Sequence, residues 1–161
     1  MSARDVTFRP ITPADTEFLY AVYASTRAAE LAQVDWSESQ KEAFLRGQFD
    51  AQHQAYQATY PGADFLVVLL RDQAVGRLYL TRRDHEIRIV DIALLPEHRN
   101  AGIGSAILAD VLAEGARDDK RVSIHVEMVN PALALYRRLG FRQREVRGVY
   151  YFMEWVPERQ A

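Results

Sequence analysis

Apolar and polar side chains alternate through Val6-Thr7-Phe8-Arg9, the two-residue period of a strand with one buried face. Pro10 and Pro13 close it, and Thr12 or Asp15 can cap a helix that carries Phe18, Leu19, Val22 and Tyr23 at helical spacing. The pattern breaks between Gln33 and Ser37. Ser37 followed three residues later by Gln40 resembles a capping box, and it predicts a second helix over Glu38 to Tyr60. Phe44, Phe49, Tyr56 and Tyr60 are the expected packing residues of that helix, and Pro61-Gly62 stops it.

Three apolar runs follow with hairpin-length connections: Phe65 to Leu70, Val75 to Leu80, and Glu86 to Leu94. Arg71 to Ala74 and Arg82 to His85 are the turns, so an antiparallel meander is expected. An Ala/Leu/Ile-rich helix then opens at Ala106 and ends near Arg117-Asp118. The strand Val122 to Val129 comes next, parallel to the preceding one because a helix crosses between them. Asn130-Pro131 combines a favoured cap with a favoured first helical residue, and Gly140 sits where such a helix would end. Phe141 to Val146 and Val149 to Trp155 form a last hairpin through Gly148. The expected class is α+β, mixed α/β around one sheet: an antiparallel N-terminal meander, one parallel central strand pair, and flanking helices.

Composition narrows the function. A chain of 161 residues, 48% hydrophobic and 26% charged, suits one domain spanning 1–161 with a core that needs no staples. It has no cysteine, which removes thiolate metal sites and a cysteine nucleophile. A formal charge of −2 argues against a nucleic-acid binder held by phosphate neutralisation. No apolar run is long enough to span a membrane, and the first residues lack the apolar core of a signal peptide. A cytoplasmic protein with no membrane partner and no metal is expected.

The candidate chemistry lies between the third apolar strand and the helix after it, in Arg99-Asn100-Ala101-Gly102-Ile103-Gly104-Ser105. A strand, a glycine turn and a helix start aim several backbone N–H groups into one small volume, which suits phosphate oxygens. A P-loop would need Lys after its last glycine, where Ser105 stands. A dinucleotide fingerprint would need a third glycine at Ile107. What is left, Arg-x-x-Gly-x-Gly, resembles the pyrophosphate loop of the GNAT acetyltransferases. A second stretch, Asn-Pro-Ala-Leu-Ala-Leu-Tyr-Arg-Arg-Leu-Gly-Phe from Asn130 to Phe141, resembles the Asn, Tyr and Gly-Phe segment of the same superfamily. The two stretches are in the right order, separated by one helix and one strand.

The resemblance covers about Phe65 to Phe152 and implies acetyl-CoA as cosubstrate, bound where the two parallel strands splay apart. Its pantetheine arm would pair with Ile92, Ala93 and Leu94, its pyrophosphate would sit on Arg99 through Ser105, and Asn130 would touch the arm. Tyr136 would face the thioester sulfur and protonate the leaving thiolate. A backbone N–H near Leu94 would serve the oxyanion. Read from spacing alone, Tyr136 is equally a core aromatic beside Leu133 and Leu139.

The acceptor amine must lose a proton, and here the pattern departs from the family. The strand carboxylate of family members falls fourteen residues before the first loop glycine, at Arg88. Glu86, on the same strand face by alternation, is the candidate base, whereas Asp91 has the opposite parity and is expected to face away. His125 and Glu127 are further candidates, and ordered water could serve instead. The resemblance implies that the first two helices and the last hairpin form the acceptor side, with Tyr20, Tyr23, Arg27, Glu30, Tyr150 and Tyr151 among its residues. The acceptor could be a small-molecule amine, a peptide N-terminus or a protein lysine, and a homodimer is left open. A non-catalytic acyl-CoA sensor or scaffold is the alternative to an N-acetyltransferase, kept alive by Arg88.

Overall fold

A computed structural model of the chain describes residues 5–158. Seven strands form one sheet in the order β1-β2-β3-β4-β5-β7-β6. They are β1 (Val6–Pro10), β2 (Asp64–Leu70), β3 (Gln73–Arg82), β4 (Glu86–Leu94), β5 (Arg121–Glu127), β6 (Arg142–Arg147) and β7 (Tyr150–Trp155). The helices are α1 (Thr16–Leu31), α2 (Glu38–Thr59), α3 (Ile103–Arg117) and α4 (Leu133–Arg138). The expected meander is present as antiparallel β2-β3-β4, with β1 added outside it. The crossover through α3 makes β4 and β5 the parallel pair. Ser37 and Gln40 close the capping box of α2, as their spacing predicts. No helix among the described residues is long and apolar enough to cross a membrane.

The core has two unequal parts. On one face of the sheet, Leu78, Leu80, Ile87, Ile89, Val122 and Ile124 meet α3 and α4. Ile103, Ile107, Leu108, Val111 and Leu112 are all buried on α3. At roughly 1.5–3 kcal/mol for each such side chain, this stripe fixes α3, and therefore its first turn, firmly against β4 and β5. On the other face a smaller cluster of Leu19, Tyr23, Leu31, Leu45 and Phe49 joins α1 to α2.

Three details differ from the sequence-based expectation. Phe44 is 43% exposed, edge-on to Trp36, because the inward stripe of α2 runs through Leu45 and Phe49. The helix expected from Asn130 begins as a turn: the Asn130 side chain accepts from the Ala132 N–H at 2.8 Å, and regular helix starts at Leu133. The third concerns Asp91. Tyr79 pairs with Asp91 while Leu80 pairs with Ile89, so Val90 is an extra residue on β4, a β-bulge. The bulge reverses the alternation. Asp91 stands opposite Tyr79 and Arg88 opposite Thr81, two residues on, so Asp91 and Arg88 share a face. Asp91 points to the α2 side, not away from it.

Candidate active site

β4 and β5 pair only from Glu86–Arg121 to Ile89–Ile124. Beyond Ile89 the strands part. From the bulge to Leu94, β4 stays paired with β3 on one side, and its opposite edge bonds no strand. Ile92, Ala93 and Leu94, all half-buried, therefore present a strand edge inside the molecule. Such an edge can take a short peptide-like chain as an added strand.

The end of this edge runs into the glycine turn. Pro96–His98 forms one 3₁₀ turn, Asn100 and Gly102 take left-handed φ values of 60° and 87°, and α3 begins at Ile103. Gly102 is at this position because a side chain at φ 87° would be strained. The first intrahelical bond runs from the Ala106 N–H to the Gly102 carbonyl, at 3.0 Å, so the N–H groups of Ile103, Gly104 and Ser105 lie ahead of it. A Cβ built on Gly104 would meet only Leu94 Cδ1, at 3.9 Å. The fold itself leaves that space open, as an anion-holding concavity requires. Arg99 donates to the Leu94 carbonyl at 3.0 Å and to Ser25 Oγ on α1 at 3.1 Å, tying the turn to both strand and helix.

Tyr136 on α4 is 4% exposed and lies edge-on to Phe141. Its hydroxyl makes no hydrogen bond among the described residues, and burial, then the charge of Asp91, pushes its pKa up. At neutral pH it is a phenol able to donate a proton. Asn130 lies three residues past the end of β5, with its backbone N–H on the Glu127 carbonyl at 2.9 Å.

On the α2 face, Asp91 Oδ2 accepts from Arg77 Nη2 at 2.8 Å and from the Tyr56 hydroxyl at 3.1 Å. Arg77 is 2% exposed and also donates to Gln52 on α2, at 3.0 Å. Burial and Asp91 together raise the Tyr56 pKa, so this phenol stays a donor. Across the gap, Glu127 on β5 is ion-paired with Arg27 of α1 at 2.9 Å. His125 lies beside Arg147, and burial, with Arg88 and Arg147, lowers its pKa.

Glu86 lies elsewhere. It starts β4, roughly 20 Å of strand away from Ile92. Its carboxylate faces Arg88 at 3.1 Å, Arg83 at 3.5 Å and Arg121 at 3.9 Å. Sequence reasoning gave Arg77 no role and read Tyr56 only as a packing residue of the second helix. The signal for Arg77 was present, as one charge inside the apolar run Val75-Gly76-Arg77-Leu78-Tyr79-Leu80.

The sequence model of the Acetyltransferase (GNAT) family matches residues 26–141, most of the chain and both halves of this site. The chain belongs to the GNAT acetyltransferase family. Among solved structures, this GNAT protein superposes on the PaiA N-acetyltransferase of Thermoplasma acidophilum, determined in complex with coenzyme A. The TM-score is 0.70 at 18% identity, covering 97% of this chain and 99% of that one. It also resembles an acetyltransferase from Thermus thermophilus, with TM-score 0.67, 21% identity, and the same coverage of 97% and 99%. Among curated proteins it is 39% identical over 87 residues to a mycothiol acetyltransferase of Clavibacter sepedonicus. That match covers 49% of this chain and 28% of the relative, so the chain spans less than a third of that relative's length.

Proposed function

We propose that this GNAT protein transfers the acetyl group of acetyl-CoA to a primary amine by direct attack, both substrates being bound together. The observation that carries this reading is the continuous path from the unpaired β4 edge at Ile92–Leu94 into the turn at Asn100–Gly102 and the first N–H groups of α3. That path offers peptide-like partners along one length and anion-binding N–H groups at its end, the order in which the pantetheine arm and the pyrophosphate of CoA require them. Ile92, Ala93 and Leu94 would hold the arm. Arg99, Asn100, Ala101, Gly102, Ile103, Gly104 and Ser105 would surround the pyrophosphate, and Asn130 would flank the arm from the end of β5. The thioester supplies an activated acyl carbon.

Tyr136 is the proposed acid to the leaving thiolate, consistent with a hydroxyl that burial keeps protonated and that no neighbour among the described residues occupies. Glu86 suits an ion-pair role at the start of β4 better than that of a base, since three arginines surround it. The acceptor would enter between α1, α2 and the β6–β7 hairpin. The coenzyme A bound to the Thermoplasma neighbour and the acetyltransferase name of the Clavibacter relative agree with an acetyl transfer from CoA.

The test is release of CoA thiol from acetyl-CoA in the presence of a broad panel of amines: polyamines, amino sugars, amino acids and short peptides. Acceptor-dependent release is expected with at least one class. Tight acetyl-CoA binding without release for any amine would favour the sensor reading, which the arginine at position 88 supports.

A further inference from the structure

We infer that Asp91 is the group that meets the acceptor amine and takes its proton, with Arg77 and Tyr56 as the residues that position it. This rests on the transferase reading above. Three observations converge. The bulge at Val90 rotates Asp91 onto the acceptor face at the first residue beyond the bulge, in the stretch where β4 has left β5. Both donors that hold the carboxylate, Arg77 Nη2 and the Tyr56 hydroxyl, bind the same oxygen, Oδ2, and Oδ1 has no donor among the described residues. A carboxylate fixed by one oxygen keeps the other for a ligand.

The third observation is the polarity sunk around it. Arg77 is almost wholly buried, yet among the described residues its Nε has no hydrogen-bond partner, and neither does the buried hydroxyl of Tyr79 beside it. Burying a guanidinium costs desolvation that a single carboxylate does not offset, so such a pair is poor evidence of a stabilising device. It does give a carboxylate of fixed position, which a proton acceptor in a water-poor cleft needs.

The step balances. The ammonium of the acceptor gives one proton to Asp91 Oδ1. The amine nitrogen then bonds the acetyl carbon, the carbon–sulfur bond breaks, and the thiolate takes a proton from Tyr136. The second amine proton leaves through water to restore the phenol, and Asp91 gives its proton to solvent as the products depart.

Two probe amines separate this from other roles. Methylamine is a cation at neutral pH and must be deprotonated, whereas hydroxylamine is largely neutral and needs no base. Asp91→Asn alone leaves Arg77 buried without a counter-charge and can unfold the protein, so the deciding variant is Arg77→Gln combined with Asp91→Asn. Its fold is checked by circular dichroism melting and its acetyl-CoA binding by calorimetry. The expected result is a loss of about 100-fold in kcat with methylamine and of less than about 5-fold with hydroxylamine. Tyr56→Phe keeps the ion pair and should show a smaller loss with the same selectivity, leaving the KM for acetyl-CoA unchanged. Equal losses for both amines, or none, in a folded variant that binds acetyl-CoA would overturn the role of Asp91 and leave the transferase reading standing. A native protein that binds acetyl-CoA and acetylates neither probe nor any amine of the panel would overturn both.

Discussion

On one face of β4, Ile87 and Ile89 press against α3 in a continuous apolar layer. On the other, Asp91 and Arg77 are sunk beneath α2 with Tyr56 and Gln52. The first face is held by ordinary burial and delivers a backbone device, the glycine turn at the head of α3. The second gives up apolar packing for charge and delivers side chains. The contrast shows where each half of the proposed two-substrate site can vary. A turn made of N–H groups tolerates many surrounding sequences, whereas a cluster made of side chains, such as the proposed acceptor group, changes with each one.

The sharpest break of this comparison is Gly104→Val. The fold leaves a Cβ there free of contacts closer than 3.9 Å, so the variant should melt like the native protein. It should nevertheless lose acetyl-CoA binding by about 100-fold or more, the worth of one or two charge-assisted hydrogen bonds to phosphate. Undiminished binding by calorimetry would remove the turn from the cosubstrate site.

Next comes Tyr136→Phe. The ring keeps its packing on Phe141, so stability and acetyl-CoA affinity should hold while turnover falls by roughly 100-fold. A fully active Phe variant with a Tyr136→Ala protein that melts early would return Tyr136 to the apolar layer as a core aromatic.

Gly76→Ala tests the strand pair that carries both faces. A Cβ at Gly76 would lie 2.3 Å from the Ala93 carbonyl oxygen, so β3 and β4 must separate. Denaturant melts should show a loss of about 1–3 kcal/mol. Acetyl-CoA affinity should fall as well, because Ala93 belongs to the proposed arm-binding edge.

A smaller effect is expected at Asp15, outside both halves. Arg9 grips its two oxygens at 2.8 Å each, the Thr12 N–H adds a bond at 2.7 Å, and the arginine holds the Asp15 pKa well below the ordinary carboxylate range. A value depressed in the folded state gives stability that is present above the unfolded value. That stability is lost as pH falls through about 4 toward the folded one. Asp15→Asn should therefore cost about 1–2 kcal/mol at neutral pH, and the difference from the native protein should shrink on acidification below about pH 4. The least change is expected from Phe44→Ala, within about 0.5 kcal/mol, since the residue is 43% exposed and lies outside the buried stripe of α2.

The order of strands and helices, the glycine turn, the Ser37 capping box and the family were legible in the sequence because each is written in neighbouring residues. A turn needs its glycines within a few positions, and an amphipathic helix repeats its pattern every turn. Arg77 and Asp91 are 14 residues apart and Tyr56 and Asp91 35, so their meeting is a fact of pairing and packing. Alternation put Asp91 on the wrong face, because it assumes an uninterrupted pleat. The interruption arises only when β3 and β4 pair with unequal residue counts, and no single strand records that mismatch. The same holds for Glu86: its face followed from period two, but its distance from the gap is set by where β4 leaves β5. The amino-acid sequence by itself thus determined the elements and the glycine turn, through local periodicity and backbone preference. Only the tertiary structure decided which carboxylate stands at the opening between the strands, because register, bulge and counter-ion come from residues far apart in the chain.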